Sequence, residues 1–200
     1  KESLPDWLLR SGLGFEKIRE TAYQFVSKVV GRYAAVVHRW YVINGLNAVN
    51  QFNFNFEQIL EMTRAANMAV RAAGSRGVRV IEVNCPWGEY YATTPGSIPP
   101  FVYMDMVVQS GTSFDAFGLQ MRFGKDETGM HLRDMMQISS ILDCFGPVAK
   151  PLHITDVQIP SESGKGPFDV EVAGLWHRKW DQTRQAQWLD RFYKVVLSKP

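Results

Sequence analysis

The sequence has no apolar run approaching the ~18 residues that a membrane-spanning helix needs. Nor is there a block of like charge: 22 Lys and Arg are interspersed with 20 Asp and Glu, for a net charge of +2. That argues against a nucleic-acid-binding stripe and against a disordered acidic tail. There are only two cysteines, Cys85 and Cys144. They are too few for a disulfide framework, and nothing in the sequence supports a bridge between them. The four histidines, His38, His131, His153 and His177, show no metal-ligand spacing, so no metal site is expected. No G-x-S-x-G nucleophile elbow is present. The glycine-rich phosphate fingerprint that should follow a first strand is also missing; the nearest glycine cluster, Gly74-Ser75-Arg76-Gly77, precedes a strand instead. No cofactor, nucleic-acid partner or membrane partner is therefore expected, and the oligomeric state is not readable. The chain starts at Lys1 without an initiating Met, so the missing leader says nothing about compartment.

What is present is an ordinary globular composition over 200 residues, 46% hydrophobic and 21% charged, with a somewhat rich 12% of aromatics. Apolar spacing predicts a helix over residues 15–32, with Ile18, Ala22, Phe25 and Val29 on its inner face. Residues 33–44 read as extended. Asn55 and Gln58 form a capping-box pattern opening a helix to about residue 73, with Ile59, Thr63, Ala66 and Val70 on one face. The β-branched run 78–84 is a strand. A helix opened by Pro99-Pro100 runs to about residue 109. Residues 114–120 are a strand, 129–145 a helix with Leu132, Met135, Ser139 and Leu142 in register, and 152–157 a strand. Asp181 caps a last helix with Ala186, Leu189, Tyr193 and Val196 facing inward.

Strict helix–strand alternation predicts an α/β fold with a parallel sheet. Loops entering strands are short (74–77, 110–113), and loops leaving them are long (45–54, 85–98, 158–180). The long loops carry Trp87, Glu89, Tyr90, Tyr91, Trp176, His177 and Trp180. One elaborated face at the strand C-terminal ends is the layout of a (β/α)8 TIM barrel. Strand starts recur every ~40 residues, so eight units need roughly 300 residues. Residues 1–200 are thus expected to be a single partial TIM-barrel domain, about strands 4 to 7. Strands 1–3 and strand 8 then lie outside the chain. Asp156, near the C-terminal end of the 152–157 strand, is a carboxylate that is costly to bury without a partner or a task. Arg122 is a candidate partner. Glu82, within its strand, reads equally as an ion-pair partner or a site residue.

Four segments, in order and spacing, resemble glycoside hydrolase family 10, the xylanase family. Trp40-Tyr41-Val42-Ile43-Asn44-Gly45 is similar to that family's fourth-strand W-D-V-V-N-E. Phe114-Asp115-Ala116-Phe117-Gly118-Leu119-Gln120 resembles its sixth-strand D-A-I-G-L-Q followed by x-H. Ile154-Thr155-Asp156-Val157 resembles I-T-E-L-D of the seventh strand, and Gln185-Ala186 the Q-A before the eighth. The resemblance implies a retaining hydrolase of β-linked, xylan-type plant polysaccharide, with two carboxyl groups about 5 Å apart. It also implies a secreted or extracytoplasmic setting.

The resemblance puts Asp156 at the nucleophile position and Gly45 where the family has its acid/base Glu. Asn44 matches the residue that contacts the sugar 2-hydroxyl, and Gln120 matches the family's Gln. Arg122 stands where a His should orient the nucleophile. Glycine cannot transfer a proton, a service typically worth roughly 10²–10⁴-fold. Asp is one methylene shorter than Glu, and a misplacement of about 1 Å can cost roughly 10²-fold. Glu89, after the fifth strand, is the candidate substitute acid; a separation of roughly 6.5–9.5 Å from Asp156 would then imply inversion. The expected catalytic residues are Asp156 and Glu89, and the expected substrate-binding residues Asn44, Trp87, Gln120, Arg122, Trp176 and His177. Two rivals remain open. One is a non-catalytic carbohydrate-binding relative that lost its acid. The other is an unrelated barrel enzyme, for which a Schiff-base lysine at a strand end is missing (Lys150 precedes its strand).

Overall fold

A computed structural model describes residues 4–123, 131–148, 150–162 and 174–199. Four strands, β1 (Arg39–Asn44), β2 (Val78–Val83), β3 (Ala116–Arg122) and β4 (Leu152–Gln158), form one parallel sheet in the order β1-β2-β3-β4. Between and around them run α1 (Asp6–Leu9), α2 (Phe15–Tyr33), α3 (Phe56–Ala72), α4 (Glu89–Thr93), α5 (Pro100–Gln109), α6 (Met135–Phe145) and α7 (Gln182–Leu197). A short 3-10 turn, Gly146–Val148, follows α6. The expected alternation and parallel sheet are both present. Because parallel neighbours need crossovers, each strand is reached by a helix, and all four C-terminal ends fall at the same edge.

Caps explain where the helices begin. The Asn55 side chain accepts from the Gln58 amide while Gln58 returns a bond to Asn55, so the capping box before α3 forms as expected. Ile59, Thr63, Ala66 and Val70 are all buried. A second box, Asp134 with Gln137, opens α6 six residues later than the apolar spacing predicted. Residues 131–134 are not helical, and 129–130 lie outside the described residues. The extended reading of 33–44 was also too long at its start. Tyr33 ends α2, and the strand begins at Arg39.

Helices pack on one face of the sheet through Tyr103, Met104 and Val107 of α5, Ile138 of α6, and Trp188 and Phe192 of α7, all fully buried against Phe117, Leu119 and Met121. The inner face of α7 therefore differs from the expected one. Trp188 and Phe192 point inward and Leu189 and Val196 pack against the core as expected, whereas Ala186 and Tyr193 are exposed. Phe25 of α2 is likewise exposed, and Val30 takes the buried position.

Two register shifts bend the ladder. Tyr41 pairs with Val80 and Ile43 with Ile81, leaving Val42 as an extra residue in β1. Leu119 pairs with Ile154 and Gln120 with Asp156, leaving Thr155 as an extra residue in β4. Gly118 on β3 lies where side chains from both neighbouring strands crowd. A Cβ there would sit 2.8 Å from Thr155 Cγ2 and 3.0 Å from Glu82 Cγ. Gly118→Ala is therefore expected to lower stability by about 1–3 kcal/mol through overpacking. Urea denaturation checks this, as a lower midpoint with an unchanged slope.

Candidate functional site

The site lies at the C-terminal edge of the sheet. Asn44 ends β1 and pairs in register with Glu82 of β2, which in turn pairs with Gly118 of β3. Gln120, two residues beyond Gly118, points to the same face by the two-residue period of a strand. Its Nε2 donates to Asn44 Oδ1 at 3.2 Å, so one hydrogen bond spans β2 and joins the ends of β1 and β3. Arg122, two residues further on, donates from Nε to Asp156 Oδ2 at 2.6 Å. Gln158 Nε2 donates to the same oxygen at 3.2 Å. Both members of the ion pair are about a quarter exposed, 26% and 23%. A charge-assisted bond of this length fixes the carboxyl group firmly. Both bonds go to Oδ2, and among the described residues none goes to Oδ1.

Gly45 follows Asn44 with φ +62°, a left-handed conformation that favours glycine. A Cβ at this position would lie 2.2 Å from Asn84 Nδ2. The space next to Gly45 is thus filled by the Asn84 amide, which arrives from the end of β2. Asn84 is held in turn by a buried network. Asn47 Nδ2 donates to Tyr91 Oη at 2.8 Å and to the Ile98 carbonyl at 3.3 Å. The Tyr91 hydroxyl donates to the Asn84 carbonyl at 2.7 Å. Burial and the neighbouring Cys85 push the Tyr91 hydroxyl well above the usual tyrosine range, so it stays a donor. Asn47 and Asn84 were not anticipated from the sequence, and Tyr91 was placed on its loop without a role; polar loop residues carry no periodic signal of a shared network.

Between the loops after β1 and β2 lies a cavity of about 400 Å³, its walls including Asn50, Gln51, Phe54, Tyr90 and Thr94. The volume is within the range of a small-ligand site.

The other expected site residues take separate places. Glu89 opens α4, is half exposed, and forms an ion pair with Arg133. The Arg133 guanidinium also lies 5.1 Å from the Trp87 ring, and Trp87 packs 5.8 Å from Phe123. Among the described residues no hydrogen bond or ion pair links Glu89 to Asp156; each carboxylate has its own arginine. Trp176 is only 8% exposed, with Arg184 and Arg191 5.7 and 5.1 Å from its ring, and it anchors its loop against the core. His177 is exposed, in a left-handed conformation, its ring 5.0 Å from that of Trp176. Gln185 on α7 donates to the Ile159 carbonyl, tying the helix to the segment after β4. Neither cysteine is in a disulfide; Cys85 is buried and Cys144 exposed.

No protein-family model matches the sequence, and no curated protein does. Solved structures do match. Xylanase 10B from Thermotoga maritima superposes with a TM-score of 0.67 at 15% identity, over 100% of this chain and 56% of that one. Xylanase 10B from Thermotoga petrophila RKU-1, solved in complex with xylobiose, gives the same figures. A family 10 xylanase from Thermobacillus composti gives 0.65 at 13% identity, over 98% and 56%. The fold is part of a (β/α)8 TIM barrel. The chain spans little more than half the length of these structures. At such identities the likeness is one of fold, and the barrel geometry places the strand C-terminal ends where such enzymes carry their chemistry.

Placing a Glu at the Gly45 position is expected to fail structurally. Gly45→Glu should cost about 2 kcal/mol or more, from the left-handed backbone and the overlap with Asn84. Thermal unfolding checks this, and Asn84→Gly in the same chain should recover part of the loss. Burial pushes the Cys85 thiol from 9.0 to about 12, while Arg122 acts weakly in the other direction. Between these values the folded state keeps a proton that the unfolded state has lost, so stability should fall as pH rises from 9 toward 12. A thiol reagent at pH 8 should modify Cys144 quickly and Cys85 only after denaturation.

Proposed function

We propose that the strand-end site acts on a β-linked saccharide of the xylan type, with Asp156 as the attacking carboxylate. The observation that carries this reading is the fixing of Asp156 Oδ2 by Arg122 and Gln158, which leaves Oδ1 unengaged among the described residues, on the strand where Asp156 is the register partner of Gln120. In this reading Oδ1 forms a bond to the anomeric carbon as the glycosidic C–O bond breaks. Water then cleaves the glycosyl ester and returns the carboxylate. The leaving oxygen takes its proton from solvent or from Glu89. Glu89 fills that role only after releasing Arg133, so the reaction favours leaving groups that need little protonation. Asn44, Gln120, Arg122, Trp87, Trp176 and His177 serve as substrate contacts or as supports of the cleft walls. Xylobiose bound in the Thermotoga petrophila xylanase supports a saccharide as the ligand class. The remaining barrel strands are supplied by polypeptide outside these 200 residues.

A second reading, saccharide binding without turnover, is favoured by Gly45. That position has no side chain, and the amide filling its space cannot transfer a proton. The two readings separate on substrates with different leaving groups. The full protein is expected to cleave an aryl β-xyloside faster than xylan. Asp156→Asn should reduce aryl turnover by about 100-fold or more, since the nucleophile is removed. Unchanged turnover in Asp156→Asn would eliminate the nucleophile role, and binding of xylo-oligosaccharides with no aryl turnover would establish the second reading.

A further inference from the structure

Among the described residues Glu82 is the one buried acidic side chain, 5% exposed. No hydrogen bond or ion pair engages its carboxyl group there. A packed sheet ordinarily fills such a position with an apolar side chain, as Val80 does two residues earlier on the same face. The structure instead makes room for it. Gly118, its register partner, has no side chain, and a Cβ there would lie 3.0 Å from Glu82 Cγ. A buried acceptor without a partner lies on the same face. Gln120 is 4% exposed, and while its Nε2 bonds Asn44, its buried Oε1 has no partner. The buried Gln120 Oε1 thus waits without a donor near the strand ends, on the face that also carries the Glu82 side chain, and the Glu82 carbonyl holds the Gly45 amide at 3.1 Å.

We infer that Glu82 is a substrate-positioning residue: its carboxyl group, with Gln120 Oε1, accepts hydrogen bonds from the hydroxyls of a saccharide lying across the strand ends. This rests on the carbohydrate reading of the site and adds a residue to which the family motifs assign no role. Hydroxyl donors fit these acceptors better than a metal ion, because among the described residues no three His, Cys, Asp or Glu side chains converge. They also fit better than an ammonium group, because the Arg122 guanidinium occupies the same face.

The test is calorimetric titration of the full protein with xylotriose and with a series of its monodeoxy analogues, for wild type, Glu82→Gln and Glu82→Ala. Glu82→Gln should keep or raise Tm while weakening xylotriose binding by about 10-fold or more, the usual worth of a hydrogen bond to a charged group. One monodeoxy analogue should weaken wild type by a similar factor yet bind the variant almost as well as xylotriose does. Undiminished binding by both variants would overturn the inference and leave the carbohydrate reading intact. So would a lowered Tm with a loss spread evenly over all analogues, which marks a structural role. Failure of wild type to bind any of the sugars would overturn the carbohydrate reading itself, and the inference with it.

Discussion

Parallel register is the constraint on which the site depends. It brings the ends of four strands, far apart in sequence, to a single edge. There Asn44 and Gln120 share a hydrogen bond across β2, with Glu82 on the strand between them. The extra residue in β4 matters as much. Successive side chains of a strand point to opposite faces, so one inserted residue reverses every position beyond it. With Thr155 inserted, Asp156 rather than Thr155 stands opposite Gln120, and it meets Arg122 on the cleft side.

The charges at this edge are arranged as separate pairs. Arg122 holds Asp156, and Arg133 holds Glu89. A hydrolase working with two carboxylates needs both aimed at one bond. Here Asp156 and Glu89 are held by different arginines, and the space beside Gly45 is filled by the Asn84 amide. The loop that bears this amide is supported by Asn47 and Tyr91, so the contact at Gly45 is part of a packed arrangement.

Much of the fold was legible in the sequence, for identifiable reasons. The capping box at Asn55 and the β-branched run of β2 are local signals, and local signals survive into the structure. The start of α6 was misjudged because apolar spacing extends back to Leu132, whereas Asp134 and Gln137 set the boundary by hydrogen bonding. The face of α7 was misjudged only in part: Leu189 and Val196 pack on the core as expected, but Trp188 and Phe192 fill it and Tyr193 stays exposed. At the site, Asn44, Gln120, Arg122 and Asp156 were identifiable from strand ends and family-like motifs. Asn47, Asn84 and the role of Tyr91 were not, since their contacts join separate loops. The inserted residues Val42 and Thr155 leave no trace in a hydrophobic pattern at all.

The central claim is that the strand-end edge is a saccharide cleft built around the fixed Asp156. A crystal structure of the full protein grown with Asp156→Asn and saturating xylotriose tests it most directly. The account predicts a sugar ring within hydrogen-bonding distance of Asn44 and Gln120, its anomeric carbon facing residue 156. A sugar bound only elsewhere, or an empty cleft at saturating ligand, would contradict it.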